Sequence, residues 1–268
     1  IPTCRSTVCA ERRAVILEVR QFGSLKSSAV VLLHSLALDA GVWKPVISLL
    51  ESEFLIVAPD LRGHGSSQPN ADFTVEDMAD DVAETLACIG IGSAAVVGLS
   101  LGGCVAQSVA VRYPELVNRL VLADTTAWYG EDAPAIWGGR AERAREEGLG
   151  SLAAFQLERW FSDTFRLANV SLCEELLVTF RANDIDSYAA TCRALGNYDG
   201  RERVGSIGVP TEILVGEHDG ATPPLHAYDL AKRISDSNVT VLPDAKHLTA
   251  LERPDAVADA VRRVSARR

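Results

Sequence analysis

The apolar residues of this chain gather into short runs that are wholly or mainly apolar: Ala29–Leu33, Phe54–Ala58, Ala94–Val97, Arg119–Ala123, Thr211–Val215 and Val239–Leu242. Such runs, without polar alternation, predict strands covered on both faces, as in a parallel sheet with helices on either side. Ala14–Arg20 alternates loosely and predicts a further strand, with a turn over Gln21–Ser28 at Gly23. Helical patterning occupies Trp43–Leu50, Thr74–Gly90, Cys104–Arg112, Pro224–Ile234 and a last segment running from the His247 loop to the C-terminus. Thr74 is placed to cap its helix, Asp77 to complete a capping box, and Gly90 to close it. Pro224 sits near the start of its helix, where a missing N–H costs little. Residues 1–11 are polar and irregular.

Strands alternating with helices predict an α/β fold whose mostly parallel sheet is joined by right-handed crossovers. The alternation stops between Thr125 and Val204. That stretch lacks an apolar strand, is rich in Ala, Glu and Arg, and carries Trp128, Tyr129, Trp137, Phe155, Trp160, Phe161 and Phe165. It reads as a helical cap, residues 125–204, inserted into a core made of residues 1–124 and 205–268. Most of its aromatics are expected to form the cap's own core, with one or two facing a ligand.

In open sheets of this kind ligands bind beyond the carboxyl ends of the strands. His34, Asp60, Ser100 and Asp124 each follow such an end. Ser100 stands in Gly98-Leu99-Ser100-Leu101-Gly102, with an apolar strand before it and a helix start of small residues after it. That context marks a nucleophile elbow, where a strained serine projects above the sheet and small neighbours let strand and helix approach. The simpler alternative is an ordinary strand-to-helix turn. A serine hydroxyl needs a base, and a base histidine needs an acid to fix its tautomer. Elbow enzymes place them in the chain order serine, acid, histidine. His247, in the last strand-to-helix loop, meets the requirement for the base. Asp219 meets that for the acid, with Glu217 and Asp124 as alternatives. His34 and His64 lie in loops near the elbow, where bonding to loop backbone is the simpler role. His218 reads as a loop residue and His226 as a surface helix residue. The backbone N–H groups of Leu36 and Leu101 are the expected oxyanion donors. His34 and Asp39 also fall at H-x4-D spacing, which we read as chance.

Composition narrows the partners. The 268 residues are 47% hydrophobic and 23% charged, a globular composition with enough apolar surface for a large core. The formal net charge is -10, which makes nucleic acid and anionic membranes poor partners. An anionic substrate would need local arginines. Cys4, Cys9, Cys88, Cys104, Cys173 and Cys192 show no metal-type spacing, and reduced thiols suit a cytoplasmic protein. There is no signal-peptide pattern and no apolar run long enough to span a bilayer. The sequence begins at Ile1 rather than Met.

Taken in order, His34-Ser35-Leu36, Asp60-Leu61-Arg62-Gly63-His64-Gly65-Ser66, Gly98-Leu99-Ser100-Leu101-Gly102-Gly103, Gly216-Glu217-His218-Asp219 and His247 resemble the α/β-hydrolase superfamily. The likeness runs from about Val15 onward. More narrowly, the chain is similar to the 3-oxoadipate enol-lactonase branch. Arg159-Trp160-Phe161, Tyr188-Ala189-Ala190-Thr191-Cys192-Arg193-Ala194-Leu195, Asp219-Gly220-Ala221-Thr222-Pro223-Pro224 and Ala245-Lys246-His247-Leu248 carry that likeness. It departs at His34-Ser35, where enol-lactonases tend to carry Asn-Ser, and in its N-terminal strand region. The resemblance implies an α/β-hydrolase fold and a Ser100, His247, Asp219 hydrolase that opens a lactone or ester through an acyl-enzyme, with no metal or organic cofactor. It implies a small anionic lactone as substrate, contacted by Trp137, Arg140 and Trp160. Arg140, three residues after Trp137 on one helix face, is the first cation for its carboxylate; Arg159 and Arg143 are weaker candidates. The expected partner is that small molecule, and a homo-oligomer is left open. A carboxylesterase, a carbon–carbon bond hydrolase and a cofactor-free perhydrolase would share these residues. A non-enzymatic receptor on the same fold is the alternative from another class.

Overall fold

The structure, a computed structural model, describes residues 14–69 and 72–267. Residues 1–11, with Cys4 and Cys9, lie outside the described residues. The chain runs through β1 (Val19–Phe22), β2 (Ala29–Leu33), α1 (Lys44–Leu50), β3 (Leu55–Pro59), α2 (Val75–Cys88), β4 (Ala94–Leu99), α3 (Leu101–Arg112) and β5 (Val117–Ala123). It continues through α4 (Ala133–Glu147), α5 (Ala153–Trp160), α6 (Asp163–Ala168), α7 (Val170–Arg181) and α8 (Ile185–Gly196). It closes with β6 (Thr211–Gly216), α9 (Pro224–Arg233), β7 (Ser237–Leu242), α10 (Thr249–Glu252) and α11 (Pro254–Ala266).

The strands form one sheet in the order β1-β3-β2-β4-β5-β6-β7. β1 runs antiparallel to β3, and the other neighbours are parallel. Every residue of β3, β4 and β6 is buried, which is why their sequences show no polar alternation. Each fully buried Val or Leu in these runs contributes about 1.5–3 kcal/mol relative to exposure. α2 starts with the reciprocal cap expected of it: Thr74 Oγ1 accepts the Asp77 N–H at 3.1 Å, and Asp77 Oδ2 accepts the Thr74 N–H at 2.8 Å. α3 is buried from Leu101 to Ala110, so the helix after the serine is packed on all sides rather than amphipathic.

Two boundaries differ from the sequence pattern. The first strand is Val19–Phe22 rather than Ala14–Arg20. The earlier residues donate their N–H groups to side chains, Val15 to Asp81 at 2.6 Å and Leu17 to Thr85 Oγ1 at 2.9 Å, instead of to a ladder. The C-terminal helix is interrupted at Arg253 (φ −140°, ψ 54°), because Pro254 disfavours helical geometry in the residue before it.

Between β5 and β6 lie α4 to α8, with a single bridge, Trp128 to Asp199, as the extended pairing among the described residues. Their interior is an aromatic cluster. Trp160 packs edge-on to Phe180 at 5.8 Å, Phe180 to Tyr188 at 6.0 Å, and Phe161 stacks on Phe165 at 4.8 Å. Among the described residues, no helix is long and apolar enough to cross a membrane.

Candidate active site

Ser100 stands alone between β4 and α3 with φ 55° and ψ −112°. A non-glycine residue held there costs on the order of 1–3 kcal/mol. β5 and the turn after it hold it in place. Its N–H donates to the Ala123 carbonyl at 2.9 Å, and its own carbonyl accepts Thr125 Oγ1 at 2.7 Å. The flanking glycines are required by close approach. A Cβ on Gly98 would collide with the Gly102 carbonyl, and one on Gly102 with the Leu33 carbonyl.

β7 leads into the loop carrying His247, and β6 into the loop carrying Asp219. His247 Nε2 lies 2.8 Å from Ser100 Oγ, and Nδ1 lies 2.8 Å from Asp219 Oδ2. The other lone pairs of Asp219 are also used. Oδ1 accepts the N–H groups of Ala221 (2.7 Å) and Thr222 (3.0 Å), and Oδ2 accepts Thr222 Oγ1 (2.9 Å). Burial alone would raise the pKa of this carboxyl. The His247 charge and hydrogen bond, with the Thr222 and Ala221 N–H groups, hold it below the ordinary carboxylate range. An ionised Asp219 places the proton of neutral His247 on Nδ1, leaving Nε2 to accept from the serine hydroxyl.

The His247 loop hangs from the end of α5. The N–H groups of His247 and Leu248 both donate to the Trp160 carbonyl at 3.1 Å. Glu252 ties the same junction together, accepting from Lys246 N–H (2.6 Å), Ser162 N–H (2.9 Å) and Ser162 Oγ (2.7 Å).

The alternative acids sit elsewhere. Asp124 is fully buried and accepts the N–H groups of Gly216 (3.1 Å) and Thr249 (2.9 Å) and the Thr249 hydroxyl (2.7 Å). It joins the ends of β5 and β6 to the start of α10. Burial, and then the nearby Asp219 charge, push its pKa well above the usual value. Glu217 is exposed and accepts the Asp244 N–H at 3.3 Å.

His34 and His64 bond to loop backbone. His34 Nδ1 lies 2.8 Å from the Ser35 carbonyl and Nε2 accepts the Leu61 N–H at 2.8 Å, while His64 Nδ1 lies 2.9 Å from the Arg62 carbonyl. A trans peptide sets its N–H opposite its C=O, so the bond to Ser35 fixes the direction of the Leu36 N–H. Burial lowers the pKa of both rings, that of His64 to about 3. His226 is not the surface residue its helix position suggests: it is half-buried, with Nδ1 2.6 Å from Thr126 Oγ1. Asp39, of the H-x4-D spacing, caps a 3-10 turn by accepting the Gly41 N–H at 2.7 Å.

Above Ser100 lies a tight cleft of about 20 Å³. Leu36, Ser100 and His247 border it from the sheet side; Trp137, Arg140, Gln156, Arg159 and Trp160 border it from α4 and α5. Leu101 is buried as the first residue of α3, one of the helix positions whose N–H has no intrahelical acceptor. Arg140 donates Nε to Tyr188 Oη at 2.6 Å and lies over Trp137 at 5.1 Å. Among the described residues neither Arg140 nor Arg159 forms an ion pair, whereas Arg143 pairs with Glu147 at 3.1 Å. Burial, and then the Arg140 charge, lower the pKa of Arg159.

Three cleft residues are not singled out by the sequence, although Tyr129 is among the cap aromatics and Tyr188 lies in a resemblance segment. Tyr188 orients Arg140, Tyr129 borders the cleft, and Gln156 is buried with no hydrogen-bond partner for its Oε1. Gln156 carried a usable signal: it shares the buried stripe of α5 with Ala153 and Trp160, where an apolar residue would be usual. Of possible metal ligands, Glu217, His218 and Asp244 come within 4.8 Å of one another, but all three are exposed and none borders the cleft.

A family model for the alpha/beta hydrolase fold matches residues 28–254. The chain is 31% identical to 3-oxoadipate enol-lactonase 1 of Acinetobacter baylyi, covering 93% of each. Among solved structures it is similar to the enol-lactonase from Burkholderia xenovorans LB400, with TM-score 0.90, 30% identity, and coverage of 96% of this chain and 100% of that one. It is also similar to a thermophilic esterase from Thermogutta terrifontis, with TM-score 0.86, 30% identity, and coverage of 95% and 97%.

Proposed function

The chain belongs to the α/β-hydrolase family, and from that premise we propose that it is a serine hydrolase opening a lactone or ester through an acyl-enzyme. One observation carries this reading: the continuous hydrogen-bonded series Ser100 Oγ, His247, Asp219 at 2.8 Å per link. Ser100 attacks the carbonyl while His247 takes its proton. The oxyanion is met by the N–H groups of Leu36 and Leu101. As the C–O bond breaks, His247 returns the proton to the leaving oxygen. A water deprotonated by the same imidazole then releases the acid and restores Ser100. Asp219 stabilises the imidazolium through both steps.

The preferred substrate is 3-oxoadipate enol-lactone or a related small anionic lactone, in line with the names of the enol-lactonase relatives. Two guanidiniums with no carboxylate partner among the described residues, Arg140 and Arg159, support an anion in the cleft of a protein whose net charge is -10. For an enol-lactone the leaving group is an enol, whose conversion to a ketone favours ring opening. The esterase relative favours a second reading, hydrolysis of an open-chain carboxylic ester by the same residues. A panel of p-nitrophenyl esters and enol-lactones separates the two. Ser100→Ala is expected to lower kcat by about 10⁵–10⁶-fold and to abolish labelling by a fluorophosphonate. Labelling that persists in that variant overturns the assignment of Ser100.

A further inference from the structure

Outward from the cleft the space widens into a chamber of about 450 Å³. Tyr129, Trp137, Arg140, Arg159 and Ala221 border both, so the two form one passage. Where the two meet, the guanidiniums lie on aromatic faces, Arg140 over Trp137 at 5.1 Å and Arg159 over Phe155 at 5.3 Å. The walls belonging to the chamber alone are Ala133, Ile136, Gly139, Leu152 and Phe155, with Arg143, whose charge is paired with Glu147. Ile136 is 65% and Phe155 45% exposed, yet both face this one space rather than being scattered over the surface. Gly139 lies inside α4, where glycine is a poor helix former. No atom would stand within 4 Å of a Cβ there, so packing does not require the glycine. It leaves a notch in the chamber wall.

The passage therefore presents an order of chemistry: nucleophile, then two cations with no counter-ion among the described residues, then mainly apolar walls. We propose that the chamber is a second subsite that takes an apolar arm of the substrate, an alkyl chain or an aromatic ring. The substrate's carboxylate lies between Arg140 and Arg159 and its scissile carbonyl at Ser100. The role of the scissile end rests on the hydrolase reading above; the subsite itself does not. A small lactone alone would leave Ile136 and Phe155 in water. An arm that covers them strengthens binding by about two- to fourfold per methylene.

Calorimetric titration with straight-chain carboxylates, butanoate to decanoate, reads the chamber without any need for turnover. The Kd is expected to fall by that factor with each methylene that enters the chamber. Gly139→Phe, which fills the notch, and Ile136→Glu, which brings a like charge to the wall, are each expected to flatten this dependence; Gly139→Ala should keep it. Ile136 is exposed enough that its substitution tests the proposal even if Gly139→Phe fails to fold. A Kd independent of chain length in the native protein, or a dependence that survives Ile136→Glu, overturns the subsite. Failure of the hydrolase reading has a different signature: chain-length-dependent binding intact, with no fluorophosphonate labelling and no turnover of any ester or lactone.

Discussion

On the sheet side of the cleft, Ser100, His247 and Asp219 have their side-chain polar atoms matched, and their backbone is tied down, that of Ser100 to β5, that of Asp219 to β6 and that of His247 to the Trp160 carbonyl at the end of α5. On the helical side, among the described residues, Arg140 keeps one bond to Tyr188, Arg159 has no carboxylate partner, and Gln156 Oε1 has no hydrogen-bond partner. The difference is what two tasks demand. Proton transfer needs donors and acceptors held in place before the substrate arrives. Recognition needs hydrogen-bonding capacity left free for the ligand. On the function proposed above, the reaction type resides in loops at the ends of parallel strands, and substrate choice in α4 and α5.

The contrast breaks most severely on the sheet side. Asp219→Asn is expected to lower kcat about 10⁴-fold by losing the histidine tautomer. Asp124→Asn, although equally buried, should act mainly on stability, by about 1–3 kcal/mol in urea denaturation, with a far smaller loss of kcat. Equal losses of kcat would reopen the choice of acid. On the helical side, Arg140→Ala is expected to raise KM for a carboxylate-bearing lactone by about 10–100-fold, the range of a charge-assisted hydrogen bond. Its KM for a neutral ester should stay within about twofold. An equal loss with both substrates would erase the division of labour between the walls.

The smallest effect sharpens the contrast through pH. His64 is held neutral by burial, with a pKa lowered from 6.5 to about 3. Between those values the unfolded chain binds the proton and the folded one does not. Stability is thus full above about pH 6.5 and falls as pH drops toward 3, by up to roughly 1.4 kcal/mol per unit. His34, lowered in the same direction, steepens the slope. Urea midpoints at pH 7 and pH 5 measure it, and His64→Gln should flatten it.

The strands were legible where burial on both faces removes polar alternation, as in β3, β4 and β6. They were less so at the edge: β7, with only one fully buried residue, begins two residues earlier than its apolar run. The shift of β1 depended on Asp81 and Thr85, more than sixty residues away, which no local pattern encodes. Ser100, Asp219 and His247 could be proposed from sequence because strand topology places their loops together. Tyr188, Tyr129 and Gln156 could not, because they reach the cleft only through the packing of the helices on one another. His226 was misjudged for the same reason: its partner Thr126 comes from the far side of the helical insert in sequence.

Suspending the His247 loop from the Trp160 carbonyl has a consequence for protein engineering. Chimaeras that exchange the helical insert between relatives must preserve a seam as well as a binding surface. The incoming segment has to offer a carbonyl in place of that of Trp160, and an amide and hydroxyl in place of those of Ser162 that meet Glu252. Without them the imidazole loses its anchor, and the hybrid would fail to react with a fluorophosphonate instead of merely accepting a different ester.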